Sequence, residues 1–415
     1  MTFSLGVSIV IFLLISIRQW LPEWIRIWQI MTAGAVILLV TGQIGPTSAL
    51  DAIDWNVIAY LFGVFTISHA LYDCGIAHRL SDWICKDRDS ASLPLFLFLV
   101  LVALISAVLT NDAAAAIGTP IAITIAARLK IAPSVPLIAL CAIVTVGSMT
   151  SPVGNPQNIL IVADGHFSNP VGTFAAWLFV PTLLSLLFCF IWYRFCLSCA
   201  PSASGTTEVT LPAPSSDQLW PALLATGVLS VLVIADSVLA GYFPRFDIPL
   251  GAISVLSCLP VYIFSRERIT IFKQVDWHTL IFFVAMFIVT GAVLQSGVLQ
   301  NLLGSWQDRL NEPFIVAKVS FWASQLFSNV PVVEIYLNLL KSGETQTFML
   351  LAGISTLAGN LFITSAASNV IVVQQAEKLG AKPFQFWQFT RLVIPVTFFS
   401  VAVCYGWVVY VYPVL

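Results

Sequence analysis

Four short polar stretches interrupt long apolar runs in this 415-residue sequence, and each carries asparagine. They are Thr110-Asn111-Asp112, Thr150 to Asn158, Ser328-Asn329-Val330-Pro331, and Thr364 to Asn369. Ser, Thr and Asn supply neutral side-chain oxygens, and Asn adds amide donors. Gly and Pro at such points leave backbone groups outside the helical hydrogen-bond ladder. A helix interrupted there presents partly positive amides on one side of the gap and partly negative carbonyls on the other. The gap can therefore hold an anion without Lys or Arg, and a hard cation such as Na⁺ on its oxygens. The candidate substrate and ion ligands are Thr110, Asn111, Asp112, Thr150, Ser151, Gly154, Asn155, Asn158, Ser328, Asn329, Thr364, Ser365, Ser368 and Asn369. Na⁺, if it is the bound ion, is expected at Asn111, Asn155, Asn329 and Asn369.

Two carboxylates stand close to these stretches. Asp112 lies beside the first, and Glu334 about one helical turn beyond the third. Both are candidate proton carriers, because ionisable groups within apolar segments are functional by default. Their plainer readings are a helix-capping carboxylate and a structural hydrogen bond. Asp73, Asp164 and Asp236 lie nearer helix ends and are expected to face water. His69 is either a packing histidine or a proton site, and His78, His166 and His278 are expected at the interface. The eight cysteines are scattered, so neither a disulfide framework nor a metal site is implied; Cys196-x-x-Cys199 has no second pair. No nucleophile–base pair or metal-ligand cluster is evident, so no enzyme and no cofactor beyond a coupling ion are expected.

The elements that position these residues are membrane helices. The chain is 59% hydrophobic and 9% charged, with mean hydropathy +0.94; soluble domains are nearer ~45–50% and ~25%. That excludes a soluble enzyme, a nucleic-acid binder and a disordered protein. With about 20 apolar residues needed per span, single spans are expected at 3–17, 27–44, 56–79, 172–197, 219–241, 247–264, 277–299 and 385–413. The first lacks a basic leader and a clear cleavage site, so it reads as a retained helix. The interrupted runs form two re-entrant hairpins, 94–128 and 314–341, and two broken helices, 134–164 and 346–378. Irregular backbone at membrane depth requires burial or a watery cavity. One Asn in a membrane is ordinarily a packing hydrogen bond; Asn at four such breaks indicates a site. Trp and Tyr at span ends fit aromatic belts and are assigned no chemistry.

The hydrophilic segment 198–218 reads as a flexible cytoplasmic linker, and the sequence on either side of it repeats. Asp54-Trp55 matches Asp276-Trp277, and Cys74-Gly75-Ile76 matches Ser296-Gly297-Val298, both 222 residues apart. Thr110-Asn111 matches Ser328-Asn329 at 218, and Thr150-Ser151-x-x-Gly154-Asn155 matches Thr364-Ser365-x-x-Ser368-Asn369 at 214. Residues 1–197 and 219–415 are thus two repeats, each crossing the membrane an odd number of times and so inverted relative to the other. The expected fold is an all-α polytopic membrane protein with about ten transmembrane helices plus two re-entrant hairpins in two inverted-topology repeats. With both termini outside, only Arg245, Arg309, Lys318 and Lys341 of the 18 Lys and Arg lie outside, leaving 14 in the cytoplasm. The positive-inside rule selects that orientation.

The stretches 109–120, 147–158, 328–331 and 365–371 resemble the ion transporter superfamily of arsenite permeases, citrate-type permeases, divalent anion/sodium symporters and some sodium/proton antiporters. The resemblance spans nearly the whole chain. It implies two cation half-sites with substrate between them, and a transport domain moving against a scaffold, often in a homodimer. Thr110-Asn111 and Ser328-Asn329 match the two Ser/Thr-Asn signatures, and Gly154 to Asn158 is similar to the Gly-Thr-Pro-Pro-Asn loop of dicarboxylate members. Where the symporters continue with Thr, this chain has Asp112 and Val330, and Asn-Asp-Ala-Ala is closer to arsenite permeases. The expected function is secondary active transport of a small anion or oxyanion (arsenite-like, carboxylate or inorganic), coupled to H⁺ or Na⁺ by alternating access. The alternative is a Na⁺/H⁺ antiporter; a channel is disfavoured because opposed hairpins would occlude a pore. The expected partners are a small anionic solute, the bilayer of the inner (plasma) membrane and a second copy, with no nucleic acid.

Overall fold

The computed structural model describes residues 3–16, 22, 24–86, 92–165, 167–198, 216–242, 248–297, 309–327, 329–340 and 343–414. Arg18, Arg88, His166, Cys199, Arg245, Ser328, Lys341 and linker residues 199–215 lie outside them. The first half contains α1 (Phe3–Ser16), α2 (Ile27–Val40), α3 (Pro46–Asp51), α4 (Trp55–Asp73), α5 (Ile76–Cys85), α6 (Ser92–Val108), α7 (Asn111–Arg128), α8 (Ser134–Ser148), α9 (Pro156–Gly165) and α10 (Pro170–Ser198). The second contains α11 (Ser216–Tyr242), α12 (Leu250–Phe264), α13 (Arg268–Gln274), α14 (Trp277–Gln295), α15 (Pro313–Phe327), α16 (Asn329–Leu339), α17 (Thr345–Ala358), α18 (Ala367–Lys378) and α19 (Phe386–Gly406). Among the described residues there is no strand, and five helices are long and apolar enough to cross a membrane unaided: α4, α10, α11, α14 and α19. The molecule is an all-α polytopic membrane protein.

Its exposed and buried surfaces are those of a protein in lipid. Along α10, Phe179, Leu183, Leu187, Ile191 and Phe195 recur every four residues, each more than half exposed. An apolar stripe at that spacing faces outward along one side of the helix, a surface suited to acyl chains. By contrast, every residue of α8 and nearly all of α17 are buried, as expected of helices apolar on all sides.

Helices α4 and α14 show how the matched sequence segments act locally. Each has 19 residues and begins after an aspartate that caps it. The Asp54 carboxylate accepts from the Asn56 and Val57 amides, and that of Asp276 from the Thr279 amide. Such caps satisfy amides that have no intrahelical partner. Beyond the far ends, Gly75 and Gly297 adopt φ of +76° and +68°, a left-handed conformation that costs glycine least. The Gly75 turn splits the expected span 56–79 into α4 and the separate helix α5. The expected span 277–299 likewise ends its helix at Gln295.

Helices α6 and α7 pack as one hairpin and α15 and α16 as another. Helix α8 lies against α6 and α7, and α17 against α15. The far halves of the interrupted helices cross over: α9 packs on α16, and α18 on α7. Around this interlocked centre, α4 packs on α12, and α2 on α14.

Candidate functional site

The first hairpin turns at Leu109 and Thr110. Thr110 is extended and caps α7, its hydroxyl accepting from the Ala113 amide at 3.1 Å. The Asn111 carbonyl oxygen of the side chain accepts from the Asp112 amide at 2.9 Å. The Asn111 backbone N–H donates to the Gly154 carbonyl at 2.8 Å, tying the hairpin tip to the gap between α8 and α9. Gly154 is required there by space, since a Cβ would come within 2.4 Å of the Ser148 carbonyl oxygen. Asp112 is 3% exposed, and its Oδ1 has no hydrogen-bond partner. Among the described residues it is the only buried charged side chain. A carboxylate in that position suffers desolvation that its place in the first turn of α7 offsets only in part.

Asn155 is fully engaged. Its amide donates to Ser148 Oγ at 3.1 Å and Thr356 Oγ1 at 3.2 Å, and its oxygen accepts from the Asn158 amide at 2.9 Å. Gln157 also donates to Thr356, at 3.3 Å, and Asn360 on the second gap donates to the Ala142 carbonyl at 3.2 Å. These bonds join the two interrupted helices to each other.

Asn158 and Asn369 form a matched pair. The Asn158 amide donates to carbonyls ten and seven residues earlier, those of Ser148 (3.4 Å) and Ser151 (2.8 Å). The Asn369 amide does the same, to Gly359 (2.9 Å) and Phe362 (3.4 Å). Both partners of each NH₂ are carbonyls, which fixes the amide orientation. Both Oδ1 atoms are consequently turned away from those donors, and both are buried without a partner. The hydrogen bonds therefore equate residues 211 apart, 158 with 369, and not 155 with 369 as the sequence match has it. That match is three residues out of register at this gap, because it aligns Ser-rich text and not the helix starts at Pro156 and Ala367.

The second half is assembled similarly. Gln325 on α15 donates to the Ala358 carbonyl at 2.9 Å, and its oxygen accepts from Ser365 Oγ at 2.7 Å. The Asn329 amide group abuts Gly359, where a Cβ would lie 2.8 Å from it. Ser368 is buried with an unpartnered hydroxyl. The backbone of Thr364 lies in a short 3₁₀ turn, Ile363–Ser365. The Thr150 hydroxyl points elsewhere, donating to Thr182 on α10 at 2.7 Å. Ser151 supplies its carbonyl to Asn158, and its hydroxyl accepts from the Val153 amide at 3.3 Å.

Glu334 is set apart from this centre. It lines a cavity of about 410 Å³ with Ser48, Asp51, Gln295 and Asn338, and accepts from Asn338 Nδ2 at 3.0 Å. His69 is partly exposed and shares a 2.6 Å hydrogen bond with Gln274 Oε1; His278 stacks on Trp28. Residues of this network that are not among the candidate ligands are Gln157, Gln325, Thr356, Asn360 and Tyr60. The first four are polar groups within or beside apolar runs, a signal that could have been used. Tyr60 reads in sequence only as one more aromatic.

A family model described as "Citrate transporter" matches residues 11–345. An uncharacterized transporter of Mycobacterium tuberculosis is 26% identical over 399 residues, covering 91% of this chain and 92% of the relative. The inner membrane protein YbiR of Escherichia coli is 26% identical over 381 residues, covering 92% and 94%. The silicon efflux transporter LSI3 of Oryza sativa subsp. japonica is 22% identical over 440 residues, covering 89% and 90%.

Proposed function

Because this chain belongs to the citrate transporter family and is a membrane transporter, we propose that it moves a small anion or oxyanion by alternating access, coupled to H⁺ or Na⁺. The observation that carries this reading is the set of buried carboxylate and amide oxygens without donors among the described residues: Asp112 Oδ1, Asn158 Oδ1, Asn360 Oδ1 and Asn369 Oδ1. Oxygens with no donor suit a cation or a proton. The start of α18 at Ala367 presents helix N-terminal amides of the kind that an anion requires, whereas those of Asn111, Asp112, Ala113 and Asn158 already donate within the protein. A site of this kind binds its anion together with the coupling cation and needs no buried Lys or Arg. The two halves then act as inverted repeats, with both termini outside the cytoplasm in the inner membrane, and a second copy completes a homodimer. The Lys and Arg distribution supports that orientation.

A family named for citrate and a relative named for silicon efflux differ in solute, so the solute is a question for experiment. The test is flux into proteoliposomes of the full chain, with arsenite, sulfate, phosphate, succinate and citrate supplied in turn under imposed Na⁺ or pH gradients. One solute is expected to move under one gradient. Asp112 favours one second reading, a Na⁺/H⁺ antiporter; proton flux driven by Na⁺ with none of the five solutes moved would establish that instead.

A further inference from the structure

Tyr60 is fully buried on α4, and its hydroxyl lies 3.3 Å from two carbonyl oxygens, those of Leu109 and Val153. Leu109 is at the first hairpin tip and Val153 in the gap of the first broken helix, one residue before Thr110 and Gly154 respectively. A phenol has one proton, so the two carbonyls share it. They flank the bond from the Asn111 amide to the Gly154 carbonyl, and the three contacts close a small ring around the junction. The other end of Tyr60 is fixed as well. Its backbone carbonyl accepts from Ser254 Oγ at 2.7 Å, and three residues on Gly63 lies so close to Ser254 that a Cβ would meet its backbone oxygen at 2.5 Å. The α4–α12 pair is thus a rigid mount, and Tyr60 is the point at which it grips the hairpin tip and the gap together.

The matching position in the second half carries no hydroxyl. The residue 222 positions on, in the matching 19-residue helix α14, is Phe282. In the second half, Gln325 on α15 joins the hairpin to the gap instead, through the Ala358 carbonyl and Ser365.

We propose that Tyr60 is a positioning residue that preforms the first half-site, holding Asn111, Asp112 and Gly154 in register before any ligand arrives. This rests on the cation-coupled reading above, and it predicts that loss of the Tyr60 hydroxyl weakens cation binding while sparing the later steps.

The experiment uses the full chain with Tyr60→Phe, the substitution that the fold already carries at Phe282. In proteoliposomes, the concentration of the driving cation giving half-maximal flux rises roughly fivefold, as expected for one net hydrogen bond. Maximal flux at saturating cation stays within about twofold, which a general packing defect would not allow. Amide hydrogen exchange, read without transport, speeds up in 109–113 and 153–155 and is unchanged in α17. Unaltered exchange in those segments overturns the tether, and faster exchange with unaltered half-saturation overturns its role in binding. If wild-type flux ignores both Na⁺ and pH, the cation-coupled reading fails on its own, and the readout becomes half-saturation for the solute, with the same rise expected. No rise there overturns the proposal.

Discussion

Replacing Asn155 and Asn369 separately by alanine distinguishes a strut from a ligand. Asn155→Ala strips the Asn158 amide of its acceptor at the start of α9 and removes the donors to Ser148 and Thr356. Loss of an N-terminal helix cap costs about 0.5–2 kcal/mol, and a buried donor left unpaired about 1–3 kcal/mol. A destabilisation of about 2–4 kcal/mol is expected from their overlap. Asn369→Ala removes donors from the carbonyls of Gly359 and Phe362 only. Carbonyls tolerate partial satisfaction better than amides do, so its cost is about 1–2 kcal/mol. Its larger effect is on binding, because it deletes an oxygen that no protein donor uses. An interaction with a charged partner contributes about 1.5–3 kcal/mol, which is roughly a ten- to hundredfold rise in half-saturating cation. Thermal unfolding in detergent should therefore rank Asn155→Ala as the less stable variant. Cation titration of flux should rank Asn369→Ala as the weaker binder, with folded Asn155→Ala within about threefold of wild type. The reverse order in both assays would refute the assignment of these two residues.

Asp112→Asn, which cannot release a proton, should flatten the pH dependence of flux; an unchanged pH profile would exclude Asp112 as the proton carrier. Membrane-impermeant thiol labelling, in a background without accessible native cysteines, should reach a Cys at position 245 from outside and one at 86 only from the cytoplasm. The opposite pattern would overturn the orientation.

Much of this architecture is legible in the sequence where a side chain acts on its own backbone. The aspartates before Trp55 and Trp277 cap helices, and the polar stretches 110–112, 150–158 and 364–369 fall at or beside the interruptions. Those effects operate over a few residues, so local pattern suffices. What the sequence concealed depends on distant contacts. That Asn158 and not Asn155 matches Asn369 follows from bonds spanning seven and ten residues. The engagement of Asn155 and Gln157 with Thr356 joins positions about two hundred residues apart. Tyr60 shows the limit most clearly. In an apolar run it is indistinguishable from a packing aromatic, and only the fold brings its hydroxyl to Leu109 and Val153. The turn at Gly75 was visible as a residue, but its consequence, a separate α5, was hidden by the continuous hydrophobicity of 56–79.

Cation coupling through buried, donor-free oxygens is the property on which the proposed transport depends. It is tested most directly by proteoliposomes holding equal concentrations of the transported anion inside and outside, with only a Na⁺ or pH gradient imposed. Net movement of the anion against its own developing gradient is expected in the wild type, and none when Asn158 and Asn369 are both alanine. Flux that only ever equalises the anion, or that survives in the double variant, would contradict it.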